Sequence, residues 1–260
     1  MYNFYIRKVG EIMRYAKDFR RIARESLNGK WKISILVGLV AVLLGAVDGM
    51  GPEVKLNLGT AGTSVSLDFL GKTMLSTGGD MSSGLAGLLK IGQTYILIIG
   101  IIAFIISLII GSSVKIGYAK YNLNLNDNKE AQFENLFDYF RYWKTNIAAS
   151  LLKSLYTLLW TLLLIIPGII ASYSYAMTEY ILAEHPELHA NEAIKKSKEM
   201  MDGNKWRLFC LEFSFIGWGF LASLTFGIGH LWLVPYKEAA RAAFYRDISH
   251  TELIMIEEQI

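Results

Sequence analysis

The sequence predicts an all-α protein, a polytopic bundle of transmembrane helices, on two observations. Of its 260 residues, 53% are hydrophobic and only 19% are charged, whereas soluble domains carry roughly 25% charged residues. Three long stretches, residues 93–114, 154–178 and 213–236, also contain no Asp, Glu, Lys or Arg. Uncharged apolar stretches of about 18 residues or more are typical of helices that cross a membrane.

Residues 1–32 form a basic segment with nine Lys and Arg residues against three acidic ones. Ile12, Tyr15, Phe19 and Ile22 recur within it at helical spacing. This pattern predicts a basic amphipathic helix that lies on an anionic cytoplasmic leaflet. A soluble docking helix or a partly disordered basic tail would have the same composition.

The first two predicted spans enclose a segment of different composition. Ile33–Val47 is the first span and residues 93–114 are the second. Gly, Ser and Thr dominate residues 48–92 between them, which predicts an external loop. Within this loop Val65–Leu70 alternates weakly, as a short strand or hairpin arm would.

A Pro-Gly pair, Pro167 and Gly168, interrupts the apolar stretch from 147 to 183. The stretch is either one long kinked helix or a hairpin of two short spans, because proline breaks a helix and glycine permits a reversal. The hairpin returns the basic segment 184–207 to the side of the amphipathic segment 122–146. Since cytoplasmic segments are enriched in Lys and Arg, the charge distribution favours the hairpin.

The last apolar stretch predicts a similar arrangement. Leu208–Leu224 is the fifth span, and Gly227 and Gly229 form a turn. Ile228–Tyr245 returns as the sixth span, although only its first half is fully apolar, so it spans partly or places its charges at the interface.

A short repeat precedes each predicted hairpin, in which Trp is followed directly by a base. Trp prefers the headgroup level of a membrane and the adjacent base the phosphate region, so these pairs are predicted interface anchors. The pairs are Trp31 and Lys32, Trp143 and Lys144, and Trp206 and Arg207. Either the three units repeat one module, or any span that enters from the cytoplasm acquires these residues. Three hairpins give one domain, 1–260, with six spans, three cytoplasmic amphipathic segments and both termini in the cytoplasm.

Several strings of residues resemble a known family. They are A-R-E-S-L-N-G-K-W near the N-terminus and, near the C-terminus, A-I-K-K-S-K-E-M-M-D-G-N-K-W-R, F-I-G-W, G-I-G, P-Y and A-A-F-Y-R-D-I. Together they resemble the bacterial membrane family called domain of unknown function 975. The resemblance implies a multi-spanning plasma-membrane protein, mostly of Gram-positive bacteria, with no established activity. It supplies no catalytic residues.

Four ionisable residues in the predicted spans are candidate functional residues, because charges inside a membrane are costly. Glu212 lies five residues beyond Arg207 and either serves a function or pairs with a neighbouring helix. Lys153 can extend its amine towards the interface, and Glu179 is placed to pair with it across the hairpin. His230 follows the glycine turn and either titrates or packs as an ordinary histidine.

The sequence contains no readable catalytic constellation. The string H-P-E-L-H at His185–His189 lacks the H-E-x-x-H order of a zinc site, and Cys210 is the only cysteine. No phosphate-binding G-x-x-x-x-G-K-[ST] and no G-x-S-x-G nucleophile motif is present. We therefore expect no enzyme activity, no metal and no cofactor.

The leading functional hypothesis is a non-enzymatic plasma-membrane protein that interacts with lipid or with the envelope. Its expected partners are anionic lipids and not nucleic acid, since the basic segment 1–32 adjoins a span. The alternative is a transporter for a small amphipathic or lipid-like solute, because broken helices often line substrate sites. Glu212 would separate the two, since a transporter should lose flux when this residue becomes glutamine. The sequence does not identify a protein partner.

Overall fold

The computed structural model describes residues 14–47, 53–59, 62–69, 72–77, 108–225 and 227–257, and most of these residues are helical. Before the loop the helices are α1 (Ala16–Leu27) and α2 (Trp31–Leu43). Residues 108–126 are helical and are called α3. After two short 3-10 turns, Phe133–Leu136 and Asp138–Tyr142, the helices are α4 (Trp143–Leu163), α5 (Ile165–Ser174), α6 (Thr178–Glu184), α7 (Ala190–Met200), α8 (Lys205–Phe213), α9 (Ile216–Leu224) and α10 (His230–Glu257).

A three-stranded antiparallel sheet is inserted into the chain, whose described residues are otherwise mainly helical, as the sequence predicted. Its strands are β1 (Glu53–Gly59), β2 (Gly62–Phe69) and β3 (Lys72–Thr77), in the order β1-β2-β3. The sheet occupies the predicted external loop, and the alternating segment Val65–Leu70 falls mostly in β2. Only two residues separate β1 from β2 and β2 from β3, a spacing that is typical of β-hairpins. Residues 78–92 of the predicted loop and 93–107 of the predicted second span lie outside the described residues.

Helix α1 is amphipathic as predicted, although residues 1–13 of the predicted basic segment lie outside the described residues. Its buried face carries Phe19, Ala23 and Leu27, spaced four residues apart, while its basic residues point mainly to the other side. The axis of α1 makes an angle of 107° with that of α2. Gly29, in the connection, has φ +73°, a left-handed conformation that favours glycine. A basic helix thus lies nearly perpendicular to the apolar helix that follows it.

The chain reverses direction between α4 and α5, which pack against each other. The rings of Tyr156 and Tyr175 lie 6.1 Å apart across this pair. The break falls at Leu164, the one extended residue between the helices (φ −161°, ψ 145°), and not at Pro167 and Gly168 as the sequence predicted. Both of those residues lie inside the first turns of α5. Proline is tolerated there because the first amides of a helix have no intrahelical partner.

Gly168 allows these two helices to approach closely. A Cβ atom at this position would lie 2.8 Å from the Cα atom of Thr161 on α4. The backbones are therefore too close for any side chain, and glycine determines the separation of the helices rather than the position of the turn.

The second reversal joins α9 to α10. Gly227 lies in the turn with φ +87°, and Gly229 lies against Ala222, whose Cα atom is 2.7 Å from where a Cβ would stand. Further from the turn the rings of Phe215 and Tyr236 meet edge to face at 5.2 Å. Both reversals thus place a glycine of the returning segment against a small residue of the outgoing helix.

A third antiparallel contact joins α2 to α3. The hydroxyls of Ser34 and Tyr121 lie 2.8 Å apart, and Gly38 lies against the hydroxyl of Tyr118. A Cβ at Gly111 would meet the carbonyl oxygen of Gly45 at 3.3 Å. Small residues therefore bring α2 and α3 together along their length.

Within the described residues, two helical stretches are long and apolar enough to cross a membrane, 133–163 and 205–224, or three if α1 and α2 form one bent span. The sequence predicted six spans. The predicted fourth span is divided into α5, of 10 residues, and α6, of 7 residues. The predicted second span is mostly outside the described residues, and the predicted sixth is the charged helix α10.

Apolar exposure is concentrated around the two reversals. The largest buried side chains include Tyr121, Phe19 and Phe244. They lie away from the reversals, and we call the end of the bundle that contains them the base. We call the exposed apolar ends of α4–α5 and α9–α10 the apolar tips; their exposed residues include Leu158, Leu162, Leu163, Leu164, Ile165, Ile166, Ile169, Trp218, Phe220, Leu221 and Leu224. Exposed apolar surface of this extent is typical of membrane or partner contacts, so a membrane location is compatible with the fold.

Candidate functional site

The first candidate pair, Lys153 and Glu179, meets across the reversal between α4 and α5, as the sequence predicted. The Nζ atom of Lys153 lies 2.6 Å from Oε1 of Glu179. Lys115 of α3 approaches the same oxygen at 3.4 Å. One carboxylate on α6 therefore joins two lysines from two other helices.

Glu212 is also paired with neighbouring helices. Its Oε1 atom lies 2.9 Å from Arg241 of α10, and its Oε2 atom accepts a hydrogen bond of 3.0 Å from the hydroxyl of Tyr173 on α5. Arg241 also lies 3.3 Å from Glu238, which accepts a hydrogen bond from Tyr180 at 3.3 Å. Glu212 thus ties α8 to α5 and α10.

These residues form one layer across the bundle, which we call the charged layer: Lys115, Lys153, Glu179, Glu212, Glu238 and Arg241. Among the described residues of this layer three cations face three carboxylates, so their formal charges sum to zero. With a rise of about 1.5 Å per residue, Lys153 and Glu212 lie roughly 15–18 Å from the apolar tips. Charges removed from water are tolerated when they are paired, so this layer is a balanced polar seam.

Sequence reasoning identified half of the charged layer. It missed Lys115, Glu238 and Arg241, because Lys115 directly follows the predicted second span and the other two lie in the charged half of the predicted sixth span. The sequence of α10 did contain a signal for two of them. Glu238 follows Val234 by four residues and Arg241 follows Glu238 by three, so all three share one helical face. Val234 is buried, so this face points into the bundle.

A small cavity lies within the charged layer. Its volume is about 40 Å³, and its walls include Lys115, Lys153, Glu179, Glu238 and Arg241. Tyr118 also borders it, and its buried hydroxyl has no hydrogen-bond partner among the described residues. The space and the polar lining suit one or two bound water molecules. Water there would satisfy the tyrosine hydroxyl.

His230, the fourth candidate, does not belong to the charged layer. It begins α10, and Arg241 lies eleven residues further along, roughly 16 Å away at the rise of an α-helix. Instead His230 borders a second and larger cavity of about 370 Å³ between α9 and α10. The structure therefore places Lys153, Glu179 and Glu212 in the charged layer, and His230 outside it, beside a cavity that Glu212 also lines.

The predicted interface anchors are only partly exposed. Trp143 is 42% exposed and Trp206 is 69% exposed, and Lys144 lies 5.7 Å above the ring of Trp143. Trp31 instead packs towards Tyr236 at 6.4 Å, while Lys32 beside it is exposed. Trp143 and Trp206 are the two anchors with freely accessible rings.

Arg207 is not a surface anchor, contrary to the prediction. Its guanidinium lies 2.6 Å from Asp247 and above the rings of Phe19 and Phe244, at 5.8 and 5.6 Å from their centres. Its side chain is only 16% exposed. Arg207 lies on the face of α8 that packs against α1 and α10, so it connects these three helices at the base.

Four consecutive residues of α10 hold the base together. Phe244 packs against Phe19 at 5.4 Å, and Tyr245 donates a hydrogen bond of 2.6 Å to Glu184. The next two, Arg246 and Asp247, form ion pairs. Arg246 donates two hydrogen bonds to Asp127, of 2.8 and 2.7 Å, and also forms an ion pair with Glu184. Asp247 forms an ion pair with Arg207.

These contacts join the segments whose residues carry the family resemblance, the strings that contain Trp206 and Arg207 and those that contain Phe244 to Asp247. Residues 161–252 match the family model described as Protein of unknown function (DUF975). The chain resembles DUF975. No curated protein matches the chain, and no solved structure does.

The region that resembles DUF975 runs from the end of α4 into α10. It contains Glu179, Glu212 and His230 and leaves out Lys153. The ion pair between Arg207 and Asp247 thus lies within the DUF975-like region, whereas Arg246 reaches back to Asp127 before it. Among the described residues no three His, Cys, Asp or Glu side chains form a group that could hold a metal ion.

Acidification should weaken the base through Glu184. Although burial raises the pKa of Glu184, hydrogen bonds from Tyr245 and Arg246 and the charge of Arg246 hold it below its ordinary value. A lowered pKa means that the contribution to stability is complete above the ordinary glutamate pKa and is lost as the pH falls through the lowered one. We expect Glu184→Gln to cost about 2 kcal/mol of unfolding free energy at pH 7.

Unfolding in detergent, followed by circular dichroism between pH 7 and pH 3, checks this. The difference between the wild type and Glu184→Gln should shrink as the pH falls. Glu199→Gln is the control, because Glu199 is exposed on α7. A difference that stays constant over this range would contradict the linkage.

Proposed function

We propose that the chain is a multi-spanning plasma-membrane protein, without enzymatic activity, that associates with anionic lipid of the cytoplasmic leaflet. Its six spans form three hairpins and both termini lie in the cytoplasm. The antiparallel pairs α4–α5 and α9–α10 and the contact of α2 with α3 support three hairpins. The basic residues of α1 and α7 support a cytoplasmic base, since such residues are enriched on that side.

The spacing between the exposed tryptophans and the apolar tips carries this proposal. Trp143 lies twenty residues before the end of α4, about 30 Å by the rise of a helix, and Trp206 lies eighteen residues before the end of α9, about 27 Å. The hydrocarbon core of a bilayer is about 30 Å thick. Tryptophan is enriched at its boundary, so both distances fit a slab with the tips at its far side.

The orientation of α1 supports the choice of lipid. This helix lies at 107° to α2, as a helix in the plane of a membrane does when the next one enters it. Lys17, Arg21 and Arg24 are exposed and occupy one face at spacings of four and three residues. Each base near an anionic surface contributes about 1 kcal/mol to binding.

A lipid competition experiment tests the proposal. The protein is purified in neutral detergent with equal amounts of phosphatidylglycerol and phosphatidylcholine, and the bound lipids are counted by native mass spectrometry. We expect phosphatidylglycerol to dominate and its excess to fall with salt. Lys17→Gln, Arg21→Gln and Arg24→Gln together should reduce the preference, by about fivefold for each charge removed.

The matched control keeps the charges and changes the residues: Lys17→Arg, Arg21→Lys and Arg24→Lys. This variant should retain the preference, because attraction to a leaflet depends on charge rather than on hydrogen-bond geometry. Equal binding of the two lipids by the wild type at low salt would refute the proposal.

A further inference from the structure

The larger cavity is a partly open cleft between the helix pair α8–α9 and the returning helix α10, with Ile216 at its rim 61% exposed. Its volume is about 370 Å³, near the lower end of the range for ligand sites, about 300–1,000 Å³. Val47, which follows α2, stands at one wall. The other walls are Glu212, Phe215, Ile216, Gly219, His230, Leu233, Val234, Lys237, Glu238 and Arg241.

This cavity is apolar at one end and charged at the other. Gly219 and Leu233 line the part nearer the second reversal, where His230 also stands, and a Cβ at Gly219 would meet only Leu233, at 4.0 Å. Ile216 lies further from the reversal, next to the contact of Phe215 with Tyr236. Lys237 lies seven residues along α10 from His230, about 10 Å deeper. Beyond it are Glu212, Glu238 and Arg241 of the charged layer. A molecule that fits both ends is an amphiphile.

Lys237 determines which charge the head group of this molecule should carry. The carboxylates of Glu212 and Glu238 both pair with Arg241, at 2.9 and 3.3 Å. By contrast, no carboxylate of the described residues lies within ion-pair distance of Lys237. Lys237 is half-buried, and an anion would stabilise it there, because a charge partly removed from water is costly without a partner.

We infer that this cavity binds a single-chain amphiphile with an anionic head, a carboxylate or a phosphate, held by the ammonium group of Lys237. The hydrocarbon chain lies along Ile216 and Leu233 towards the apolar tip. The modest volume suits one chain. This site has no residue of α1 in its lining and is separate from that helix's basic face, so it goes beyond the proposed association with the leaflet.

Native mass spectrometry in dodecyl maltoside tests the site, because the detergent is a neutral competitor with the same chain length as the probes. The probes are dodecanoate and dodecyl phosphate, titrated separately to distinguish a carboxylate head from a phosphate head. We expect one equivalent of at least one probe to be retained. Lys237→Gln should weaken its binding about tenfold or more, the usual effect of losing a charged hydrogen-bond donor.

Three further variants complete the experiment. Lys237→Arg should retain binding within a fewfold, and Gly219→Phe should abolish it by filling the cavity. Lys195→Gln, on the exposed surface of α7, should bind as the wild type does. If Gly219→Phe fails to fold, Lys237→Gln decides alone.

The inference is overturned if neither probe is retained by the wild type, or if folded Lys237→Gln binds the retained probe as well as the wild type does. The leaflet proposal is judged separately. Removing the basic face of α1 should change the lipid preference and leave probe binding intact, whereas Lys237→Gln should do the reverse.

Discussion

Replacing Arg246 with methionine is expected to lower the free energy of unfolding by about 3–5 kcal/mol, the usual cost of removing one partner from a buried ion pair. Arg246 donates two hydrogen bonds to Asp127, at 2.8 and 2.7 Å, and pairs with Glu184. Its side chain is 19% exposed, as is that of Asp127. The substitution leaves Glu184 without its arginine partner and Asp127 with Lys129, 3.0 Å away, as its remaining ion pair.

Chemical unfolding in detergent measures this loss. Arg246→Lys keeps the charge and should fall between the wild type and Arg246→Met, because an ammonium group cannot reproduce the two parallel hydrogen bonds of a guanidinium. Arg21→Met is the matched control. Arg21 is 64% exposed, and its loss should change stability by less than about 0.5 kcal/mol. Equal effects at positions 246 and 21 would show that the base does not depend on Arg246.

Replacing Gly168 with alanine should destabilise the protein by about 1–3 kcal/mol, the range for overpacking a tight contact. The new methyl group would lie 2.8 Å from the Cα atom of Thr161. Backbone atoms cannot move aside as a flexible side chain can, so α4 and α5 must separate. Their separation would also move Tyr156 away from Tyr175.

Gly217→Ala is the control for this substitution. Gly217 also lies in a helix, α9, and nothing stands within 4 Å of the position of its Cβ. Alanine favours a helix over glycine by about 0.5–1 kcal/mol, so Gly217→Ala should leave stability unchanged or raise it. Unfolding temperatures of both variants in the same detergent provide the comparison. A Gly168→Ala protein as stable as the wild type would mean that the helices are not in such close contact.

The pairing of Lys153 with Glu179 could be predicted from the sequence because it follows from one assumption. If the chain reverses between them, two opposite charges at similar distances from the turn must meet. Pairings that involve a third element had no such constraint. Lys115 reaches Glu179 from α3, and Arg241 reaches Glu212 from α10, and nothing local to either residue indicates its partner.

The location of the first reversal could not be predicted for a different reason. Proline and glycine were interpreted as the turn itself, whereas Leu164 makes the turn and Gly168 serves the packing after it. Similarly, Arg207 follows an exposed Trp206 and shares its composition with a surface anchor. Whether the side chain of Arg207 points inward depends on which face of α8 meets α1 and α10. That is decided by how the helices pack and not by the neighbouring sequence.

The contacts of Arg246 also affect the order in which the protein can assemble during synthesis. Glu184 and Asp127 precede Arg246 by 62 and 119 residues. At the usual 5–20 residues per second, the ribosome adds Arg246 about 3 to 12 seconds after Glu184 and about 6 to 24 seconds after Asp127. Through that interval the two carboxylates are already made and Arg246 is not. A nascent chain that stalls near residue 240 therefore contains both reversals but cannot close its base, and it would present an open helical base to the proteases that remove unfinished proteins.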